Sequence, residues 1–138
     1  MSIIESLFPY SATTDTITVR VQPDYLPGHS DPGRGLWMWR YHVRVENHGA
    51  QPVQLLDRHW IIRDASGGIE EVRGPGVVGE QPTIPPGGAH DYVSGCPLPT
   101  PSGTMEGSFG MVTADGRRFR ADIPQFDLVS PDSRRAAN

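Results

Sequence analysis

The chain has 138 residues, the size of one domain, and its 12 basic against 16 acidic side chains leave a net charge of −4. That balance offers no overall attraction to nucleic acid or anionic lipid, so neither is an expected partner. The one cysteine, Cys96, excludes an intrachain disulfide and suits a reducing, cytoplasmic setting.

The first ten residues carry no basic leader, and Glu5 and Pro9 interrupt their apolar stretch, so they read as neither signal peptide nor membrane span. Residues 1–12 and 130–138 hold little apolar surface and are expected to fray, leaving an ordered core over about 13–129 of a single domain spanning 1–138. Ile17, Val19 and Val21 begin the period-two alternation of half-buried strands. Its clearest instance sets Trp37, Trp39, Tyr41, Val43 and Val45 on a core face against Met38, Arg40, His42, Arg44 and Glu46 on a wet one. A strand over residues 36–46 would run about 36 Å, long enough to call for a bulge or an overreaching hairpin.

Asn47-His48-Gly49, Ser66-Gly67-Gly68 and Asp115-Gly116 supply hairpin chemistry, because each holds residues that tolerate positive φ. Between the first two, Leu55 to Ile62 is apolar enough for a strand covered on both faces. Pro85-Pro86-Gly87-Gly88 forces a further turn, and Pro97, Pro99 and Pro101 confine the next segment to an edge or to irregular structure. Alternation returns at Phe119, Ala121 and Ile123. No stretch has helical periodicity. About seven short strands with frequent turns predict an all-β fold, an antiparallel two-sheet sandwich of the fibronectin type III or immunoglobulin-like kind.

Chemistry is sparser. Gly74-Pro75-Gly76-Val77-Val78-Gly79 matches the G-x-G-x-x-G spacing of dinucleotide turns, but that motif needs a helix after it, and Glu80-Gln81-Pro82 does not start one. The loop remains the best place for a small anion, with Arg73 beside Gly74, Gly76, Gly79 and Glu80. Arg58-His59-Trp60 can together bind an anion or anchor a protein partner, which makes Arg58 and His59 candidate site residues; alternation puts Arg58 and Trp60 on one face, Trp60 as core filler, and His59 on the other, where its competing role is that of a structural histidine. Arg58 near Arg73 and the glycine loop would make a local positive patch. The five histidines show no metal-ligand spacing; His42 with His90, or His29 with Asp31, are the pairs a sheet could bring together, and no metal or cofactor is expected. Cys96 has no base nearby in sequence, and the adjacent Glu70 and Glu71 face opposite sides of a strand, so no catalytic residues are assigned. Aromatics on one face of 37–45 and arginines on the other describe a covered sheet, not a base-stacking platform.

The run Val53-Gln54-Leu55-Leu56-Asp57-Arg58-His59-Trp60-Ile61-Ile62-Arg63-Asp64 and the glycine loop that follows closely resemble the signature of the ApaG family. Ile84-Pro85-Pro86-Gly87, Tyr92-Val93-Ser94-Gly95, Gly103-Thr104-Met105-Glu106-Gly107-Ser108 and Ile123-Pro124-Gln125-Phe126 continue the match in order, so the resemblance covers about residues 16–128. It implies a small β-sandwich of fibronectin type III type with a loose association to cobalt and magnesium resistance. The resulting expectation is a non-enzymatic binding module for a protein partner, with room for a homodimer at a sheet edge. The alternative is phosphate, pyrophosphate or nucleotide binding at residues 74–79.

Overall fold

A computed structural model describes residues 3–136, which are built almost entirely from antiparallel strands. One sheet runs β1 (Tyr10–Thr14), β2 (Ile17–Tyr25), β3 (Trp37–Asn47) and β7 (Ala89–Leu98) from edge to edge. The other runs β5 (Ile69–Pro75), β4 (Val53–Asp64), β8 (Ser102–Thr113) and β9 (Arg118–Val129), with the short β6 (Thr83–Ile84) also pairing on β4. Helices are limited to α1 (Ile3–Leu7), α2 (Pro131–Ala136) and two single 3-10 turns, Pro27–His29 and Pro32–Arg34. The expected two-sheet sandwich is therefore present, with nine strands among the described residues where about seven are legible in the sequence. The polar β1 and two-residue β6 are too weakly patterned to announce themselves.

The inner faces meet in one apolar layer. Ile17, Val19, Val21, Val43 and Val45 are fully buried, as the alternation requires, and face Leu55, Phe109, Met111, Ala121 and Leu128 from the opposing sheet. An aromatic cluster sits at the centre: Trp60 meets Tyr41, Phe109 and Phe126 edge-on at centroid separations of 5.3, 6.3 and 6.0 Å. Pro97 lies on β7, an edge strand, as its missing N–H demands.

Several expectations are corrected. The long β3 has neither bulge nor overhang, because β2 and β7 are nearly as long and pair with it in continuous register. The irregularities fall in the other sheet, at Leu56 of β4 and where Glu106 of β8 faces Pro124 and Gln125 of β9. The bulge at Leu56 also explains the apolar run at 55–62. Leu55 and Trp60, of opposite parity, both turn inward, while Asp57, His59 and Ile61 stay half-buried on the outer face, so β4 is not covered on both sides. Glu46, assigned to the wet face, is buried at the end of β3, where Arg20, Arg44 and His48 surround its carboxylate. Asn47-His48-Gly49 is a crossing between sheets, not a hairpin; the Asn47 amide donates to the carbonyls of Gln51 and Ile84 and so ties β3 to the start of β4 and to β6.

Packing also extends past residues 13 and 129. Phe8 is buried, β1 pairs along β2, and Ser130 is buried with its hydroxyl donating to the Pro101 carbonyl. No helix among the described residues is long and apolar enough to cross a membrane.

The two sides of the sandwich differ. On one, β9 packs along β1 and β2, and the Asp122 and Asp127 amides donate to Thr14 Oγ1 and Tyr10 Oη. On the other, the edge strands β5 and β7 stand apart, and the interior opens to solvent between them.

Candidate functional site

The opening between β5 and β7 is a cleft of about 400 Å³, within the range of small-ligand sites. Alternation explains its lining. Arg58, Trp60 and Ile62 point inward from β4, Glu70 and Val72 from β5, and Tyr92, Ser94 and Cys96 from β7. Tyr41 and Met105 complete the floor, and Val78 caps one end.

Arg58 is placed by the register of β4 on β5, which sets it opposite Gly74. A Cβ on Gly74 would lie 2.9 Å from both terminal guanidinium nitrogens, so only glycine lets the side chain lie against the strand there. Arg58 Nη1 donates to the carbonyls of Pro75 (2.9 Å) and Gly76 (3.1 Å). The glycine loop thus presents carbonyls to the cation. Its amides are largely engaged internally: Gly76 donates to Leu56, Val77 to Glu80, and Glu80 back to Val77. Residues 77–80 form a two-residue turn whose central positions, Val78 (φ 48°) and Gly79 (φ 77°), both lie in the left-handed region, as in a type I′ hairpin. The short β6 follows, so no helix completes a dinucleotide site. Buried Val77 anchors this turn in the core, and Glu80 reaches His90 of β7 at 3.7 Å.

The other predicted site residues lie outside the cleft. His59 and Arg73 are cross-strand partners on the outer face, where His59 Nε2 lies 2.9 Å from Glu71 and Arg73 3.7 Å from the same carboxylate. Arg73 thus stays outside the cleft, but Arg58, His59, Arg73 and Gly74 do line one shallow depression beside it, together with Asp57 and Arg120, so the expected positive patch lies there and not in the cleft. Glu70 faces the cleft and Glu71 the outside, as strand geometry dictates. His42 pairs with Asp91 at 2.8 Å while His90 meets Glu80, so these two histidines do not converge. Among the described residues, no three His, Cys, Asp or Glu side chains gather to hold a metal.

Burial in this apolar setting pushes the Cys96 thiol up to about 12, which keeps it protonated and inert. Burial also raises both tyrosine hydroxyls. For Tyr41, a hydrogen bond with Ser94 and the Arg58 charge oppose the rise; for Tyr92 the rise is large. Tyr92 Oη is buried with no hydrogen-bond partner among the described residues, which costs free energy unless something else supplies one. Reading by residue type misses Tyr41, Glu70, Val78, Tyr92 and Ser94 as a group, because only the β3–β7 and β4–β5 registers bring them to one opening. The period-two placement of Tyr92, Ser94 and Cys96 is the signal that could have joined three of the cleft's residues.

An ApaG domain model matches residues 27–113. Protein ApaG of Rhodospirillum centenum is 55% identical over 129 residues, covering 94% of this chain and 99% of that protein; Protein ApaG of Paramagnetospirillum magneticum is 52% identical with the same coverage. A solved Bordetella pertussis chain described as an ApaA protein superimposes with a TM-score of 0.81 at 47% identity, covering 83% of this chain and 94% of that one. The C-terminal domain of wzt shares the fold alone, with a TM-score of 0.53 at 12% identity over 87% of this chain and 76% of that one. With the domain model spanning more than half of its length and relatives at half identity along nearly all of it, the chain belongs to the ApaG family.

Proposed function

We propose that this protein is a non-enzymatic recognition module that takes a protein partner along the open β5–β7 side of the sandwich. The observation carrying this reading is the pair of unpaired strand edges flanking a cleft. Each edge offers a row of main-chain donors and acceptors that an extended segment can complete. Exposed apolar side chains sit on both edges, Ile69 on β5 and Val93 on β7. The inert thiol and the divided carboxylates supply no nucleophile or acid/base pair at this opening. The partner is a different protein or, at the same edges, a second copy of the chain. The work is assigned to the cytoplasm, consistent with the single reduced cysteine. In this reading a role in cobalt or magnesium tolerance runs through the partner, not through a metal held here.

The test is an edge-blocking variant. Ile69→Lys combined with Val93→Lys places charge on both exposed edges, a device natural sheets use against strand addition. The variant should melt within about 1 kcal/mol of the parent, since both sites are surface positions, yet lose the proteins retained by the immobilised parent. Size-exclusion chromatography separates self-association from capture of another protein. Unchanged retention would defeat the proposal.

A further inference from the structure

The cleft carries a more specific message than its openness. Among the described residues, Arg58 and Arg118 have no carboxylate partner, although Arg20, Arg34, Arg40, Arg44, Arg63, Arg73, Arg117 and Arg120 each have one, and of the two only Arg58 lines the cleft. The Arg58 Nη1 is engaged by the Pro75 and Gly76 carbonyls, which hold the guanidinium flat against Gly74, while Nε and Nη2 make no hydrogen bond to another described residue. A second, independent feature is Tyr92, whose buried hydroxyl lacks a partner and whose ring lines the same cleft. Tyr41 and Ser94 add two further hydroxyls there. A pre-oriented guanidinium with donors to spare, beside an unsatisfied hydroxyl, is the constellation that receives a carboxylate through charge-assisted hydrogen bonds.

We propose that the cleft receives one aspartate or glutamate side chain from an extended segment of the partner, with Arg58 as its cation and Tyr92 Oη as an added donor. This rests on the reading of the β5–β7 side as the partner-binding side. The extended form follows from the flanking edges: a strand laid on β7 or β5 turns every second side chain toward the cleft. The restriction to a single negative charge follows from Glu70, whose carboxylate lines the same opening. A doubly charged phosphate or a nucleotide would meet that repulsion, in a protein already at −4.

The experiment is panning of a displayed library of random nonapeptides on the folded full chain, in parallel with Tyr92→Phe and Arg58→Gln. Tyr92→Phe removes only a hydroxyl that has no partner in the fold, so it should melt no lower than the parent. It remains informative even if Arg58→Gln loosens the loop that Arg58 holds. The parent should enrich peptides with aspartate or glutamate at one fixed position between β-formers, binding about tenfold more tightly than their asparagine or glutamine counterparts. That preference should shrink in Tyr92→Phe and vanish in Arg58→Gln. Enriched peptides without a fixed acidic position, or an acidic preference untouched by both substitutions, would overturn the inference while leaving the edge reading standing. N-acetylglutamate binding as tightly as the best peptide would overturn the extended-segment source, and no enrichment at all would remove the edge reading together with the inference.

Discussion

At Val78 a backbone cost to stability stands against the binding role proposed for the cleft. Val78 is a β-branched residue at φ 48°, two-thirds exposed, where the turn chemistry calls for asparagine, aspartate or glycine. Left-handed backbone at such a residue costs about 1–2 kcal/mol, and the side chain recovers little of that from burial. It does cap the cleft. Val78→Asn should therefore raise stability by about 1 kcal/mol, a rise of about 4 °C in a thermal melt, and weaken partner binding. A variant that is no more stable, or that binds as well, would deny Val78 this role. Arg58 makes the complementary point. Alternation alone puts it on the same side as Trp60, but the carbonyls it holds and the glycine it crosses depend on which β5 residue stands opposite, and that register is not written in either strand separately.

At the scale of elements, the sequence is most legible where alternation is uninterrupted, as in β2 and β3, and least where a bulge changes its phase. Leu56 in β4 and the Pro124-Gln125 pair in β9 each shift the inward-facing set by one residue, so that Leu55 joins Trp60 and Ile123 joins Phe126 inside. Glu46 is the other illegible element feature, a charge at a strand end buried by neighbours from β2 and from the turn beyond β3. Burial alone would raise its pKa, but hydrogen bonds from Arg44, His48 and Arg20 outweigh burial and hold it below its ordinary 4.5. A carboxylate whose folded pKa lies below the unfolded value stabilises the fold fully above about 4.5, and that contribution is lost as pH falls through the folded value. The protein should lose stability on acidification below that point, and Glu46→Gln should be less stable at neutral pH yet flatter across the acid range. Parallel slopes in denaturant titrations of the two proteins between pH 6 and 3 would refute this coupling.

For the molecule as a whole, the asymmetry of the sandwich organises the account. One side is sealed by β9 against β1 and β2, with Trp39 Nε1 donating to the Val129 carbonyl and Trp37 Nε1 to Asp132. The other is left open between β5 and β7, with Arg58, Glu70, Tyr92 and Ser94 around the cleft. The fold class was readable because this much alternating sequence needs a second layer over its apolar face, and short strands with frequent turns fit two packed sheets. Which side stays open was not readable, since it depends on strand order and not on any strand's composition. The most direct test compares two matched surface positions, Val93 on the β7 edge at 51% exposure and Val129 at the sealed side at 50%. A photo-crosslinking residue at each, irradiated in cells, should give a discrete partner adduct from position 93 and none from position 129. Adducts from 129 alone, or equally from both, would contradict the assignment of the open side as the binding side.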